Sequence, residues 1–386
     1  MTIVVLGFRE GLVEAAADFG DVLVIADHQK PALGEYPHLI VDDVASIHAV
    51  TAALQRMKSL VIDAVVTAHE QGVLTCHALR ERFHLPAAVG RATASRFRDK
   101  KIQKDALAIS TPRARCEKVD VFLSEYPDIS ALLGEKFVLK PVDGFGSVST
   151  RIISSPEDYS MFRSEFGGPD SPRFLAESFV EGDEWHVDGV WHAGSFTWSA
   201  VSTYTNSPIA WVNGLAIGGA PLAGAYEPEE RFATEFVADA LRQLETPDAV
   251  VHVEIFRHPD GRFLFSEAAI RVAGALVPEV LELTFGQNLY RAEVELALGL
   301  TPKVTARASP TGVFGYTYLL RTDHSAKNEA ELFEMYDVVS GEYPPAAQGR
   351  IGAYGRWGFA ILRGHDHWHV MRGLRELALA AESGRP

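Results

Sequence analysis

Cysteine is nearly absent from this 386-residue chain: Cys76 and Cys116 are the only two. Two thiols build neither a disulfide framework nor a cysteine-based zinc site, and they suit a reducing cytosol. Cationic side chains are also short. The 36 Lys and Arg stand against 51 Asp and Glu, a formal net charge of −15, and a field of that sign repels a polyanion such as DNA. No uninterrupted apolar stretch approaches the roughly 20 residues that span a bilayer. Met1–Gly7 lacks the basic start and longer apolar core of a signal peptide, so it reads as a first β-strand. These absences point to a cytoplasmic globular protein with neither nucleic acid nor membrane as partner. What is present is ordinary globular composition, 47% hydrophobic and 23% charged, in a chain long enough for two or three packed units.

The first ninety residues alternate short β-branched runs (Ile3–Leu6, Val22–Ile25, Ala64–Thr67) with helical patterns (Glu10–Phe19, Ile47–Leu60). Strand–helix alternation of this kind predicts a doubly wound α/β unit with a parallel sheet. Gly7-Phe-Arg-Glu-Gly11 has two glycines rather than the three of a dinucleotide fingerprint, which favours a plain strand-to-helix turn.

Residues 91–118 hold nine Lys and Arg against three acids, a local +6. Such a run is either a solvated helix face or a site for a compact polyanion, and taken alone the first is favoured. Next come a strand, Phe137-Val-Leu-Lys-Pro141, a glycine-rich loop through Gly144, Gly146 and Ser147, and a second strand near Arg151–Ile153. A hairpin tip with open backbone N–H groups can cover phosphates, with Lys140 as a point charge at its base. An ordinary turn fits equally well.

Val251–Phe256 and Arg262–Glu267 read as two strands joined by His258-Pro-Asp-Gly261. With Arg257 facing Arg262, Glu254 lies opposite Phe265 and Glu267 opposite His252. The two acids are then diagonal neighbours on one face, with Cα atoms roughly 7–8 Å apart. Two carboxylates in apolar surroundings must protonate or share a cation, and hard oxygen ligands favour Mg²⁺. A slipped register would instead turn one Glu to solvent.

Taken in order, these pieces resemble the ATP-grasp superfamily, specifically its carboxylate–amine ligases, and are similar to L-amino acid ligases and carnosine-synthase-like enzymes. The similarity covers nearly the whole chain. Asp99-Lys100 with Lys104, followed by Ser110-Thr-Pro112, looks like the family's first nucleotide-binding lysine segment. Val138-Leu-Lys-Pro141 and the loop through Gly146-Ser147 look like its second lysine and phosphate-covering loop. Ala176-Glu-Ser-Phe-Val-Glu-Gly-Asp-Glu184 is similar to the family hinge.

The resemblance implies that the Glu177–Val180 backbone, Ser178 included, reads adenine, that Glu184 binds the ribose hydroxyls, and that Phe265 belongs to the nucleotide site. Glu254 and Glu267 fall on its metal positions for Mg²⁺, with Mn²⁺ as the variant. Lys140 and Arg271 fall on its phosphoryl-stabilising positions. It also implies an N-terminal Rossmann-like α/β domain (1–92), a small lid (93–180) and a C-terminal α+β lobe (181–386). Two departures stand out: Ala269 where an asparagine ligand is usual, and Ser149-Thr150 where a Gly-Val pair is common.

The implied chemistry is ATP-dependent activation of a small-molecule carboxylate as an acyl phosphate, followed by capture by an amine. Delivery to a thiol, on a carrier protein or coenzyme A, is the nearest alternative, and a nucleotide-binding regulatory protein without catalysis is another. Substrate contacts are expected from Trp185, His186, Asn206, Trp211, Asn213 and Arg271, and a homodimer is possible. His365-Asp-His-Trp-His369 reads as a polar strand face before a final helix at Arg372–Ala381 rather than a zinc site, and Pro344-Pro345 with Gly349 reads as a loop.

Overall fold

The computed structural model describes all residues except 29–30, 58–59, 169–172, 305–311, 321–328, 343–357 and 384–386, so the Pro344-Pro345 and Gly349 loop lies outside the described residues. The chain opens with β1 (Thr2–Leu6), α1 (Glu10–Ala17), β2 (Asp21–Ala26), β3 (His38–Ile40), α2 (Ile47–Gln55), β4 (Ala64–Thr67) and α3 (Val73–Arg82). The four strands form a parallel sheet in the order β3-β2-β1-β4. β1, β2 and β4 are near-continuous apolar runs because both faces of the sheet are covered. The Gly7 turn is the expected strand-to-helix turn. Its φ is +75°, and a Cβ there would come within 2.5 Å of the His69 ring, so only glycine fits. Both predicted helices end earlier than their sequence patterns, at Ala17 and Gln55.

Two short helices, α4 (Arg91–Arg96) and α5 (Lys100–Ala106), lead into a second sheet. It contains β5 (Cys116–Val119), β6 (Phe137–Pro141), β7 (Arg151–Ile153) and β8 (Phe174–Ser178), all antiparallel in the order β5-β8-β6-β7. Its apolar face is covered by α6 (Tyr126–Leu133) and α7 (Pro156–Phe166) through Ile129, Leu133, Tyr159 and Phe162.

The third sheet has eight strands: β9 (Asp183–His192), β10 (Ser195–Tyr204), β11 (Gly218–Pro221), β12 (Ala249–Arg257), β13 (Phe263–Ala269), β14 (Val313–Leu319), β15 (Val338–Glu342) and β16 (Gly358–Gly364). Their order is β13-β12-β9-β10-β11-β14-β16-β15. Helices α8 (Glu227–Gln243), α9 (Val277–Phe285), α10 (Leu289–Ala297), α11 (Glu329–Met335) and α12 (His367–Ser383) accompany it. One core runs from the N-terminal sheet into α9 and α10 and on to Val190, Trp198 and Tyr316 of the large sheet. α8 closes a second core with Trp185, Val187, Ile255, Phe263 and Phe265.

Two sequence expectations fail here. The final helix begins at His367, so His367 and His369 lie in its first turn and not on a strand. The His365 and His369 rings stack at 4.5 Å, while buried His367 points Nδ1 at the Pro221 carbonyl, 3.1 Å away. The β12–β13 register also differs: Arg257 pairs with Phe263, one step beyond the expected Arg262.

Arg80 on α3 and Glu293 on α10 form a 3.0 Å ion pair with both side chains under 10% exposed. Removing one partner leaves a buried charge alone. R80M is therefore expected to lower stability by about 3–5 kcal/mol, with R80M/E293L recovering most of it, as read from urea unfolding midpoints.

Candidate active site

Beyond Ile255↔Phe265 the hairpin carries a β-bulge, so Ser266 is an extra residue and Glu254 pairs directly with Glu267. The acids are thus cross-strand partners rather than diagonal neighbours. Two steps bring this about: the hairpin pairs one residue beyond the expected register, and the bulge shifts every later partner by one more. Their surroundings follow from strand alternation. Val253 and Ile255 are buried in the core under α8, while His252, Glu254 and Phe256 turn to the opposite, open face.

The lysines reach this face from α5 and β6. Asp99 caps α5 by accepting from the Lys101 and Ile102 amides, both at 3.0 Å. Lys100 and Lys104, four apart on that helix, share its inner face and are both at most 9% exposed, whereas Lys101 pairs outward with Asp105. The basic run is therefore only partly a solvated face. Lys100 Nζ lies 3.4 Å from Glu267 and donates to the Gly144 carbonyl at 2.7 Å. Lys140 Nζ is 3.1 Å from Glu177 and 3.9 Å from Glu267. Lys104 donates to the other Glu177 oxygen.

These contacts set the charge states. Burial works against the Glu177 carboxylate, but Lys104 and Lys140 outweigh it and hold its pKa at about 2. Burial also opposes the Lys140 charge, and Glu177 and Glu267 more than reverse this, raising its pKa. Glu184 is driven the other way, up to about 7, by burial first and the nearby Glu254 charge second. The cleft between the two antiparallel sheets measures about 280 Å³. Lys100, Lys140, Gly146, Ser147, Glu177, Ser178, Val180, Glu184, Glu254 and Glu267 all line it. In the loop, Gly146, Ser147 and Ser149 each have φ near +56°. Ser149 thus takes a left-handed backbone that glycine adopts more readily.

Arg271 stands at the edge of this group. Its guanidinium pairs with Glu70 and donates to the Val272 carbonyl at 2.8 Å. Glu70, in the turn after β4, also takes Arg98, and Arg98 donates to the Asp143 carbonyl of the glycine-rich loop at 2.7 Å. Burial disfavours the Glu70 charge, yet Arg271, Arg98 and Lys100 pull its pKa to about 2. Sequence reasoning missed Glu70 and Arg98, since their partners lie up to 201 residues away.

Several expected contacts are not brought to the cleft. Phe265 is fully buried beneath the sheet, and Phe256 lines the cleft instead. Trp185 turns to the same core, packed on Tyr226 and Phe263. Asn206 donates to the Ala216 carbonyl, Trp211 lies edge-on to Tyr318, and Asn213 is exposed. Their loop still reaches the cleft through Ser207, Pro208 and Ile209, and Ser207 donates to Glu184. His186 does face the carboxylates' side of the sheet, but it is buried against Asp188 at 2.5 Å. Asp188 also accepts from His252 Nδ1 at 2.8 Å. Among the described residues, His186, Asp188 and His252 are the group whose possible ligand atoms lie within 4.8 Å of one another.

A lid sheet closing over a larger antiparallel sheet, with lysines above paired carboxylates, is the architecture of the ATP-grasp enzymes. Residues 133–279 match the family model described as an ATP-grasp domain. It is similar to an L-arginine-specific L-amino acid ligase of Bacillus subtilis, 27% identical over 316 residues that cover 78% of this chain and 73% of that one. Its fold is similar to an L-amino acid ligase of Bacillus licheniformis (TM-score 0.76, 16% identity, 97% and 96% covered). A carboxyaminoimidazole ribonucleotide synthase of Aspergillus clavatus, complexed with ATP, is similar as well (TM-score 0.75, 15% identity, 99% of each chain). Among the described residues no helix is long and apolar enough to cross a membrane.

A carboxylate with a depressed pKa stabilises the fold above its unfolded value and loses that contribution as pH falls. For Glu177 the window runs from about 4.5 down to about 2. E177Q is expected to be less stable at neutral pH by about 3 kcal/mol. Its acid limb should be flatter across that window, as measured by denaturant titrations at stepped pH.

Proposed function

We propose that this chain is an ADP-forming ATP-grasp ligase that joins the carboxylate of an amino acid or related acid to an amine, making an amide. The observation that supports this most is the direct pairing of Glu254 with Glu267 on the floor of a cleft roofed by Lys100 and Lys140. Residues 1–92, 93–180 and 181–386 then act as N-terminal domain, lid and metal-bearing lobe. The oxygen donors of the two glutamates fit a divalent cation, Mg²⁺ or Mn²⁺, which when bound supplies charge neutralisation at the phosphates.

The chain's own groups do the rest. The Ser178 and Phe179 amides already donate to the Arg115 and Lys136 carbonyls. This narrows the recognition of adenine to the remaining backbone groups of Glu177–Val180. Phe256, rather than Phe265, offers the apolar surface beneath. Glu184, poised by Ser207, takes the ribose hydroxyls. Lys140 and Arg271 stabilise the phosphoryl group as it moves from ATP to the substrate carboxylate, giving an acyl phosphate and ADP. An amine then displaces phosphate. No side-chain nucleophile is needed, because positioning and charge neutralisation lower the barrier. The 143–149 loop, tied to Lys100 and Arg98, covers the site and keeps water from the acyl phosphate.

The test is divalent-cation-dependent phosphate release from ATP across a panel of single amino acids and amino acid pairs, with ADP and AMP resolved. ADP formed only with a particular acid and amine is the expected result. AMP overturns the acyl-phosphate route. Turnover only with a carrier thiol moves the assignment to acyl transfer, and ATP binding without turnover on any acceptor moves it to regulation. In the active assay, R271M is expected to lower kcat by about 10²–10³-fold while the KM for ATP moves far less.

A further inference from the structure

Arg9 and Glu70 follow β1 and β4, which pair side by side, so both leave the carboxyl end of the N-terminal sheet. The turn that carries Glu70 is bonded to that edge. Thr67 Oγ1 donates to the Leu6 carbonyl at 2.8 Å and accepts from the His69 amide at 3.0 Å, and His69 Nε2 lies 3.2 Å from the Phe8 carbonyl. From this footing each Glu70 oxygen takes a different arginine. Oε1 accepts from Arg98 Nη1 at 2.5 Å, and Oε2 accepts from Arg271 Nε. Side-chain exposure is 9% for Arg98, 12% for Glu70 and 13% for Arg271, so the three groups meet largely out of water. Two guanidinium groups brought together there repel, and the carboxylate between them holds both in place.

Beyond Glu70 the two arms part. Arg98 donates to the Asp143 carbonyl at 2.7 Å, and Lys100, two residues further on, donates to the Gly144 carbonyl, so the first arm ends on the glycine-rich loop. Arg271 begins the segment after β13, and that segment returns to the same sheet edge, where the Ala275 carbonyl accepts from Arg9. We propose that Glu70 is a positioning residue: from one carboxylate it holds the glycine-rich loop over the cleft, through Arg98, and sets Arg271 at the cleft's edge. The cover that excludes water and the cation beside the migrating phosphoryl group are then placed together, so the acyl phosphate forms under cover. This rests on the proposed ligase reading and goes beyond it in giving the N-terminal unit a part in the outcome of the reaction. A glutamine at this position accepts through one oxygen and turns its NH2 donors towards the other guanidinium, which leaves one arm without an acceptor.

Two readouts on the full chain test this. Backbone hydrogen exchange without nucleotide reads the loop. The ratio of phosphate released to amide formed, with an acid and amine pair that supports turnover, reads the cover over the acyl phosphate. In E70Q the 143–149 amides are expected to exchange about 10-fold faster while β12 is unchanged. The ratio should rise above wild type, because water takes the acyl group in place of the amine, releasing phosphate and returning the acid. R98M, which cuts only the arm to the loop, should do the same, whereas R271M should lower kcat and keep the wild-type loop exchange and ratio. A fold that is merely weakened lowers phosphate and amide together and leaves the ratio as it was. Unchanged loop exchange and an unchanged ratio in E70Q overturn the role of Glu70 and leave the ligase reading standing. A wild-type chain that makes no amide with any pair overturns that reading, and loop exchange in E70Q then decides for Glu70 by itself. If E70Q does not fold, R98M decides on the same readouts.

Discussion

Charge balance in a water-poor cleft is the constraint on which the rest of the structure depends. Like charges brought together there must be compensated, since burial penalises each one separately. Glu177 sits between Lys104 and Lys140, and Glu267 is approached by both Lys100 and Lys140. The outcome is an alternating lattice of ammonium and carboxylate groups across the two sheets. An incoming polyphosphate with its cation adds charge of both signs to that lattice. The lysines can then trade carboxylate partners for phosphate oxygens without any group being left buried and alone. A chain with a net charge of −15 can therefore still present a phosphate-binding surface.

The lattice is positioned by ordinary backbone rules. The Asp99 cap fixes where α5 starts, and helical spacing then assigns Lys100 and Lys104 to the inside and Lys101 to the outside. The β12–β13 bulge brings Glu254 and Glu267 into register. Glu70 ties this assembly to the N-terminal sheet. It reaches Arg271 beyond the end of β13 and Arg98 ahead of α5, and Arg98 holds the glycine-rich loop. Three sheets thus meet at one buried carboxylate. The N-terminal unit is a structural participant in the site, not an appendage to it.

Much of this was legible in the sequence, and the failures have separate physical causes. The parallel N-terminal sheet followed from β-branched runs alternating with helical patterns. Lys100, Lys140, Glu254 and Glu267, picked out by short motifs in order, lie around one cleft. Residues placed by their position beside a motif were less secure. Trp185 and Phe265 are one residue from cleft-facing neighbours, Glu184 or His186 in one case and Ser266 in the other, so the choice of face rests on a single step. The bulge at Ser266 leaves no mark in composition or periodicity. Glu70 and Arg98 were missed for another reason: nothing local in either segment tells of a partner in another sheet. The histidines near 365–369 were misplaced because alternate spacing mimics a strand, while Asp366, which accepts from the His369 amide at 2.8 Å, starts a helix.

The large sheet's open face gains meaning when followed along its strands in successive rows. One row holds Phe256, Glu184 and Tyr204; the next holds Glu267, Glu254, His186 and Ser202; the third holds Ala269, His252, Asp188 and Ala200. Rows two residues apart are separated by roughly 7 Å. The face therefore runs from a ring and a single carboxyl, through paired carboxylates, to an oriented imidazole. The pleat sets the order of chemical groups along the cleft, while α5 and β6 supply Lys100 and Lys140 above it, so that cations from one sheet face carboxylates from the other across a single space.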